Sequence, residues 1–494
     1  MQKTREYVSD VLSDEIIMKM VSGNNYLIGS EMNSGKNYWV RNVLLPYAFN
    51  KNQKTLLLSH RNSIKNQQEE YLKEYQWECI RQFKGGLFDT MTYQSFQNAI
   101  KRKEPELLEY DFIICDEAHY FISDNSFNPN TEYSFDFLDK NNKAVKIFMS
   151  GTYQCLDYLP FAKPLEVLKE ANYYNNNVES LNRYDNAETI GAVILDELEK
   201  GKKILAFHGS KNDMVDYNYG NAAMIHSGNK DNSNDFVEIV EECRFSSDVI
   251  NTTKLMTEGV ELKESKVDTV IINNITDLNA FVQAPARIRD NTIKVYYRVS
   301  KRSIMANLRS VEKQLEYYAE FMELGSIEFV KEYGTEVIHR RMKAFYLNTV
   351  IDSISGCEYV DLVVSRTGLA CLEWQRDCYR AILEQGFENV LRTYFPNVPM
   401  YDLEKLKQEE YIRLDVIDNF VDKKIFKDEQ LELVKIISNR FGITRSDGKR
   451  KLGMKTINSF FEENNINYRL ESDKEKSRKS SNYKKMYWML KQVS

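Results

Sequence analysis

Residues 110–121 read YDFIICDEAHYF. Phe112 to Cys115 is a short, Ile-rich apolar run, the composition of a strand buried on both faces in a parallel sheet. It runs into Asp116 and Glu117, then Ala118 and His119. At the carboxyl end of such a strand an Asp is placed to hold Mg²⁺, usually through its waters. The next side chain points the other way and is placed to align and polarise an attacking water. The alternative is a strand that merely ends in a charged turn. The position of D-E-A-H, roughly 80 residues beyond a Gly-Lys loop, speaks against it.

That loop lies in residues 26–40, YLIGSEMNSGKNYWV: a strand, a small-residue turn and a helix start. In a phosphate-binding loop, backbone N–H groups converge on the phosphates, a Lys adds a compact charge, and the helix N-terminus adds its partial positive charge. Ser34, Gly35, Lys36 and Asn37 are the residues so placed, with Lys36 as the lysine and Gly35 as the close-approach glycine. The pattern GxxxxGK[ST] is met only in part. Ser30 holds the first glycine position, and Asn37 holds the position of the Mg²⁺-binding hydroxyl. Asn37 offers a carbonyl oxygen to the cation instead. Read alone, this stretch also fits an ordinary strand–turn–helix.

Around these two stretches the chain alternates. NYLIG, TLLLS, DFIICDEAH and VKIFMSGT are strand-like and separated by helical or polar segments. After an Asn-rich stretch, 173–186, read as a linker, KILAFHGS, AAMIHSG, DVINTTK, DTVIINN and TIKVYYRVS repeat the pattern. Two tandem α/β parallel-sheet domains are therefore expected, over 1–165 and 166–300. From Lys301 onward apolar residues fall at helical spacing with no strand series, which predicts a mostly helical C-terminal domain over 301–494, ending in a basic tail.

Composition narrows the function classes. With 42% apolar residues and a net charge of −6, the chain can fill several cores and is not disordered. No apolar run reaches the length of a membrane span, and MQKTREYVSDVLSDE has no apolar signal core, so a cytoplasmic protein is expected. The seven cysteines form no CxxC pair; Cys371 and Cys378 lie closest and fit no metal pattern. From Phe441 to Ser494 there are 13 Lys/Arg against 6 Asp/Glu, net +7 on an otherwise acidic chain. That fits a nucleic-acid contact or a solvated tail equally. Tyr483, Tyr487 and Trp488 there are placed to stack on bases or simply to pack.

Taken together, the stretches resemble the superfamily 2 helicases of the DEAH-box type, in the family's motif order over roughly residues 5–300. SEMNSGKN is similar to motif I, although Asn33 and Asn37 replace a glycine and a threonine. LLLSHRNSIKNQ is similar to motif Ia, and TMTYQSF to the next strand-contacting motif. By resemblance Arg61, Gln67, Thr92 and Gln94 then bind nucleic acid. MSGTY is similar to motif III, which implies that Ser150 and Thr152 couple His119 to strand movement. LAFHGSK resembles motif IV, and NTTKLMTEGVEL resembles motif V, with Thr253 and Gly259 near strand or nucleotide. FVQAPARIR resembles motif VI, with Gln283 facing the nucleotide and Arg287 and Arg289 as arginine fingers; Ala286 replaces its glycine.

The resemblance implies two RecA-like domains, ATP and Mg²⁺ as ligands, and an ATPase that moves along or unwinds nucleic acid, DNA in preference to RNA. The compact motif VI resembles that of origin-binding helicases of viruses and mobile elements, which implies a role in DNA replication. A guanidinium from the second domain would stabilise charge on the transferring phosphoryl group. Some residues keep a second reading: Thr92 and Gln94 as turn residues, His60 as a strand end, His226 as a turn cap. A nucleotide-gated binding or loading protein with little turnover is the rival function, favoured by Asn33 and Asn37. A nuclease finds no acidic–Lys cluster outside DEAH.

Overall fold

The structure is a computed structural model that describes residues 6–31, 34–59, 87–126, 128, 130–168, 177–257, 262–264, 266–288, 291–351, 358–406, 420–441, 453–463 and 466–492. The chain forms two compact units, residues 1–400 and 401–494.

The first unit holds two sheets. Strands β1 (Asn25–Gly29), β2 (Thr55–Ser59), β3 (Phe88–Thr92), β4 (Phe112–Cys115), β5 (Val145–Ser150) and β6 (Leu165–Val167) form one, in the order β3-β2-β4-β5-β1-β6, with every pair parallel. Every residue of β1, β2, β4 and β5 is buried, because helical segments cover both faces. Alternation sorts the side chains. Leu27, Leu56, Leu58, Ile113, Cys115 and Phe148 face one core; Tyr26, Ile28, Leu57, Ile114, Ile147 and Met149 face the other. The register pairs Gly29 with Ser150, Cys115 with Phe148 and Ser59 with Thr92. The motif-bearing strand ends thus share one edge.

The second sheet contains β7 (Val178–Arg183), β8 (Lys203–His208), β9 (Ala222–Ile225), β10 (Val249–Thr252), β11 (Val267–Asn273) and β12 (Ile293–Arg298), all parallel, in the order β7-β12-β11-β8-β10-β9. The tandem α/β, RecA-like architecture expected from the sequence is present. The linker expected over 173–186 is corrected: it contains β7. Glu179, Ser180 and Asn182 hide the strand's period, yet Asn182 is buried and spends its amide on Ser180 Oγ (2.8 Å) and the Val295 carbonyl (3.2 Å).

Residues 301–494 are divided rather than one domain. The helical stretch Lys301–Tyr333, broken at Gly325 where φ is +75°, and helices Thr335–Arg341, Arg366–Gln385 and Phe387–Tyr394 belong to the first unit, as helical spacing predicts. An antiparallel pair, β13 (Phe345–Ile351) and β14 (Glu358–Val364), interrupts them where no strands were expected. Both are rich in β-branched and aromatic residues. Helix Arg366–Gln385 ties the two sheets together. At its start Arg366 reaches Glu132 (2.8 Å), Asp136 (2.8 Å) and Asp139 (3.0 Å) beside the first sheet. Farther along, Tyr379 and Ile382 enter the core of the second.

The second unit has its own core: Ile425, Leu433, Ile437, Ile457, Phe461, Leu470 and Leu490. Helices Lys427–Phe441 and Met454–Glu463 pack with antiparallel strands β15 (Tyr468–Lys474) and β16 (Met486–Gln492). The basic tail expected here is an ordered hairpin. Its strands bury few residues, so the alternation is drowned by charge.

Candidate functional site

β1 leads through Ser30 and Glu31 to Gly35 and the short helix Lys36–Trp39. Gly35 has φ +82°, a left-handed conformation, and a Cβ there would meet the Tyr7 ring at 3.3 Å. Lys36 Nζ donates to the carbonyls of Ser30 (2.7 Å) and Glu31 (2.9 Å), which sets the ammonium inside its own loop. The hydroxyls of Ser30 and Ser34 are buried and have no hydrogen-bond partner among the described residues.

Asp116 follows β4 and is 4% exposed. Its backbone N–H donates to Leu58 (2.9 Å), and its carbonyl accepts from the buried Tyr93 hydroxyl (3.0 Å). Its carboxylate accepts from the Asn37 amide (3.3 Å) and the Glu117 N–H (3.0 Å). Burial, then the Glu117 charge, pushes the Asp116 carboxyl up to about 6, against the pull of Lys36 and Asn37. Asn37 Oδ1 is buried beside this carboxylate with no hydrogen-bond partner among the described residues. Mg²⁺ fits such a setting: it takes one or two protein oxygens and leaves its other positions to phosphates and water. Among the described residues no group of three His, Cys, Asp or Glu could hold a metal on its own.

Glu117 has φ +50°, which costs a non-glycine residue about 1 kcal/mol or more. The turn is held because the next N–H, of Ala118, donates to Met149 on β5 (2.8 Å). The Glu117 carboxylate lies 3.5 Å from His119 Nδ1 and 3.9 Å from Arg287 Nη2. Arg287 comes from the second sheet's side of the molecule and is buried.

His119 is 1% exposed and links both halves. Gln283, at the end of helix Leu278–Gln283, donates its amide to His119 Nε2 (2.9 Å) and to Thr152 Oγ1 (3.1 Å). Nε2 is then the acceptor, and Nδ1–H faces Ser150 Oγ at 3.1 Å. Ser150 Oγ also accepts from the Thr152 N–H (3.1 Å). Asp116, Glu117, His119, Ser150, Thr152, Gln283 and Arg287 therefore form one cluster, with Asn37 and Lys36 joined through Asp116.

Other sequence-derived residues lie apart from it. Thr92 caps helix Tyr93–Lys101 by accepting from Ser95 N (3.1 Å), and Gln94 is exposed on that helix. Thr253 precedes a single turn, Lys254–Met256. His226 accepts from Gly228 N (3.0 Å), which is the turn-capping alternative. Arg61, Gln67, His60, Asn33, Gly259 and Arg289 lie outside the described residues. Sequence reasoning passed over Tyr93, which stacks on Tyr120 (4.1 Å between centroids) behind the acidic pair. Gln97 and Asn128 both donate to the Tyr120 hydroxyl. The run TMTYQSF contains Tyr93, but only the fold reveals its partner.

Residues 14–155 match the family model described as "Type III restriction enzyme, res subunit". No curated protein sequence matches the chain. Among solved structures, Saccharomyces cerevisiae Dbp5 bound to RNA and ADP BeF3 is similar at 14% identity and TM-score 0.43, over 57% of this chain and 80% of that one. Escherichia coli DEAH/RHA helicase HrpB is similar at 12% identity and TM-score 0.39, over 58% and 42%. The family match spans β1 to just past β5, and with it the loop and the acidic pair. Over that part the resemblance to superfamily 2 helicases holds.

Proposed function

We propose that this chain, of the superfamily 2 helicase kind in its first α/β domain, hydrolyses ATP to move along or open nucleic acid, with DNA favoured over RNA. One observation carries the reading: side chains from the second sheet's half, Gln283 and Arg287, meet His119, Thr152 and Glu117 of the first half at the strand edge that bears the loop. Lys36 and the loop amides would bind the phosphates, Asp116 and Asn37 would hold Mg²⁺, and Glu117 would orient the attacking water. Arg287 would stabilise charge on the equatorial oxygens, with Arg289 as a second finger. Mg²⁺, when bound, would neutralise charge that develops on the phosphates. Gln283 would pass the state of the phosphate side to Ser150 and Thr152 through His119, so that closing and opening of the two halves follow nucleotide turnover. Arg61, Thr92, Gln94 and Thr253 remain the strand-contacting residues of this reading, Gly259 the further nucleotide contact, and DNA replication of a virus or mobile element its proposed setting.

The test compares ATP hydrolysis by the wild type and Glu117→Gln, alone and with single- and double-stranded DNA and RNA. Stimulation by a nucleic acid is expected. Glu117→Gln is expected to abolish turnover while nucleotide binding persists. A second reading, a nucleotide-gated binding protein with negligible turnover, is favoured by the Asn37 amide, which already donates to Asp116 where a hydroxyl would ligate the cation. Phosphate release at background with saturating DNA and RNA would support that one.

A further inference from the structure

We infer that the second unit grips the phosphate backbone of duplex nucleic acid with the tip of the β15–β16 hairpin, resting on the preceding reading only in that the substrate is a nucleic acid. Residues 468–492 carry 8 Lys/Arg against 3 Asp/Glu, on a chain of net charge −6. Such a cationic island localises polyanion contact to one place. Lys474, Lys476, Arg478, Lys479, Lys484 and Lys485 are all exposed around the turn. The one acid among residues 474–485, Glu475, is buried. It accepts from Lys424 Nζ (2.7 Å) and Ser477 N (2.8 Å), while its backbone pairs with Lys484 and Lys485. Glu475 therefore shapes the turn without neutralising the tip. Lys476 shares an exposed pair with Asp473 (3.6 Å), whereas Arg478, Lys479 and Lys484 form no ion pair with an acid among the described residues.

The hairpin is fixed, not a tail. Asn458 of helix Met454–Glu463 bonds both the N–H (2.8 Å) and the carbonyl (2.9 Å) of Leu470, and Ile425 exchanges backbone bonds with Trp488 (2.8 and 2.9 Å). Single-strand grips need exposed aromatic faces. Here Tyr487 is buried, 5.8 Å from Phe426 and 5.1 Å from Lys424 Nζ, and Trp488 is half-buried; Tyr483 is the one exposed ring among residues 468–492, with Lys484 Nζ 5.4 Å from it, so the hairpin offers no run of stacking faces. Cations on a rigid frame beside a helix that shows Lys455 and Ser459 to solvent suit a duplex, whose phosphates meet the hairpin; in B-form DNA the major groove also admits a helix.

The test uses the full chain with Lys476, Arg478 and Lys479 changed together to Gln. Binding by fluorescence anisotropy is followed without nucleotide from about 50 to 200 mM salt. The probes are a DNA duplex, an RNA duplex, a single strand and anionic phosphatidylserine vesicles. Losing three contacts at about 0.9 each lowers the salt slope for a duplex by about 2.7, and affinity by about 100-fold near 0.1 M salt. The charge-conserving variant Lys476→Arg, Arg478→Lys, Lys479→Arg keeps both. A duplex slope unchanged in the Gln variant overturns the inference, as does a loss confined to single strands or to vesicles. Loss confined to DNA or to RNA supports it and names the duplex. A chain that shows no stimulated ATP hydrolysis but keeps hairpin-dependent duplex binding refutes the motor and leaves this surface standing.

Discussion

Gln283→Ala tests the cluster at its most exacting point. The Gln283 amide makes two buried bonds, to His119 Nε2 at 2.9 Å and Thr152 Oγ1 at 3.1 Å, and it is the hydrogen-bonded link from the second sheet's half to the DEAH segment. Truncation leaves a buried imidazole nitrogen and a buried hydroxyl without this donor. Each such loss costs about 1–3 kcal/mol. If coupling between the halves runs through this amide, losing one bond's worth of stabilisation in the closed state, about 1–3 kcal/mol, slows the nucleic-acid-stimulated rate by about 5- to 150-fold. The rate without nucleic acid is expected to fall less. The assay is steady-state phosphate release with and without DNA, beside thermal melting to show that the fold persists. A double-mutant cycle with Thr152→Val sharpens it: partners in one bond are non-additive by about 0.5 kcal/mol or more. A stimulated rate within about twofold of wild type, or strict additivity in the cycle, would refute the coupling argument.

Two further perturbations follow from the same geometry. Arg366→Met leaves Glu132 and Asp139, each with a side chain 4% exposed, without their guanidinium, and also loses the contact with the Phe135 ring at 4.9 Å. A loss of about 3 kcal/mol in urea unfolding is expected, and a loss below about 1 kcal/mol would show that the helix does not bind the two sheets together this way. Asp116 titrates upward, to about 6, so its contribution to stability is present below the ordinary carboxylate range and lost as pH rises through about 6. Without divalent cation, Asp116→Asn is therefore expected to be more stable than wild type at pH 7.5, by on the order of 3 kcal/mol, with the gap closing by about pH 4. An equal gap at both pH values would reject burial as the cause.

The motif residues show where sequence suffices. Asp116, Glu117, His119, Ser150, Thr152 and Gln283 were all named from the sequence, and the fold collects them. The reason is local: a strand's carboxyl end is set by its own apolar run, and parallel register then carries the ends to one edge. Thr92 keeps two readings, since its hydroxyl caps its own helix and a capping hydroxyl has the same sequence signature as one that meets a strand.

By itself, then, the sequence was enough for the two parallel sheets, their order along the chain and the chemistry of the strand ends, because burial on both faces and small-residue loops leave marks within a few residues. Tertiary structure alone decided that Gln283 would meet His119, that Arg366 would satisfy three carboxylates more than 200 residues earlier, and that the basic C-terminal stretch would be a braced hairpin. Those outcomes rest on pairs of polar groups far apart in sequence. Neither partner has a periodicity that reveals the other; only packing, which makes an unpaired buried charge or amide costly, selects between arrangements the sequence permits alike.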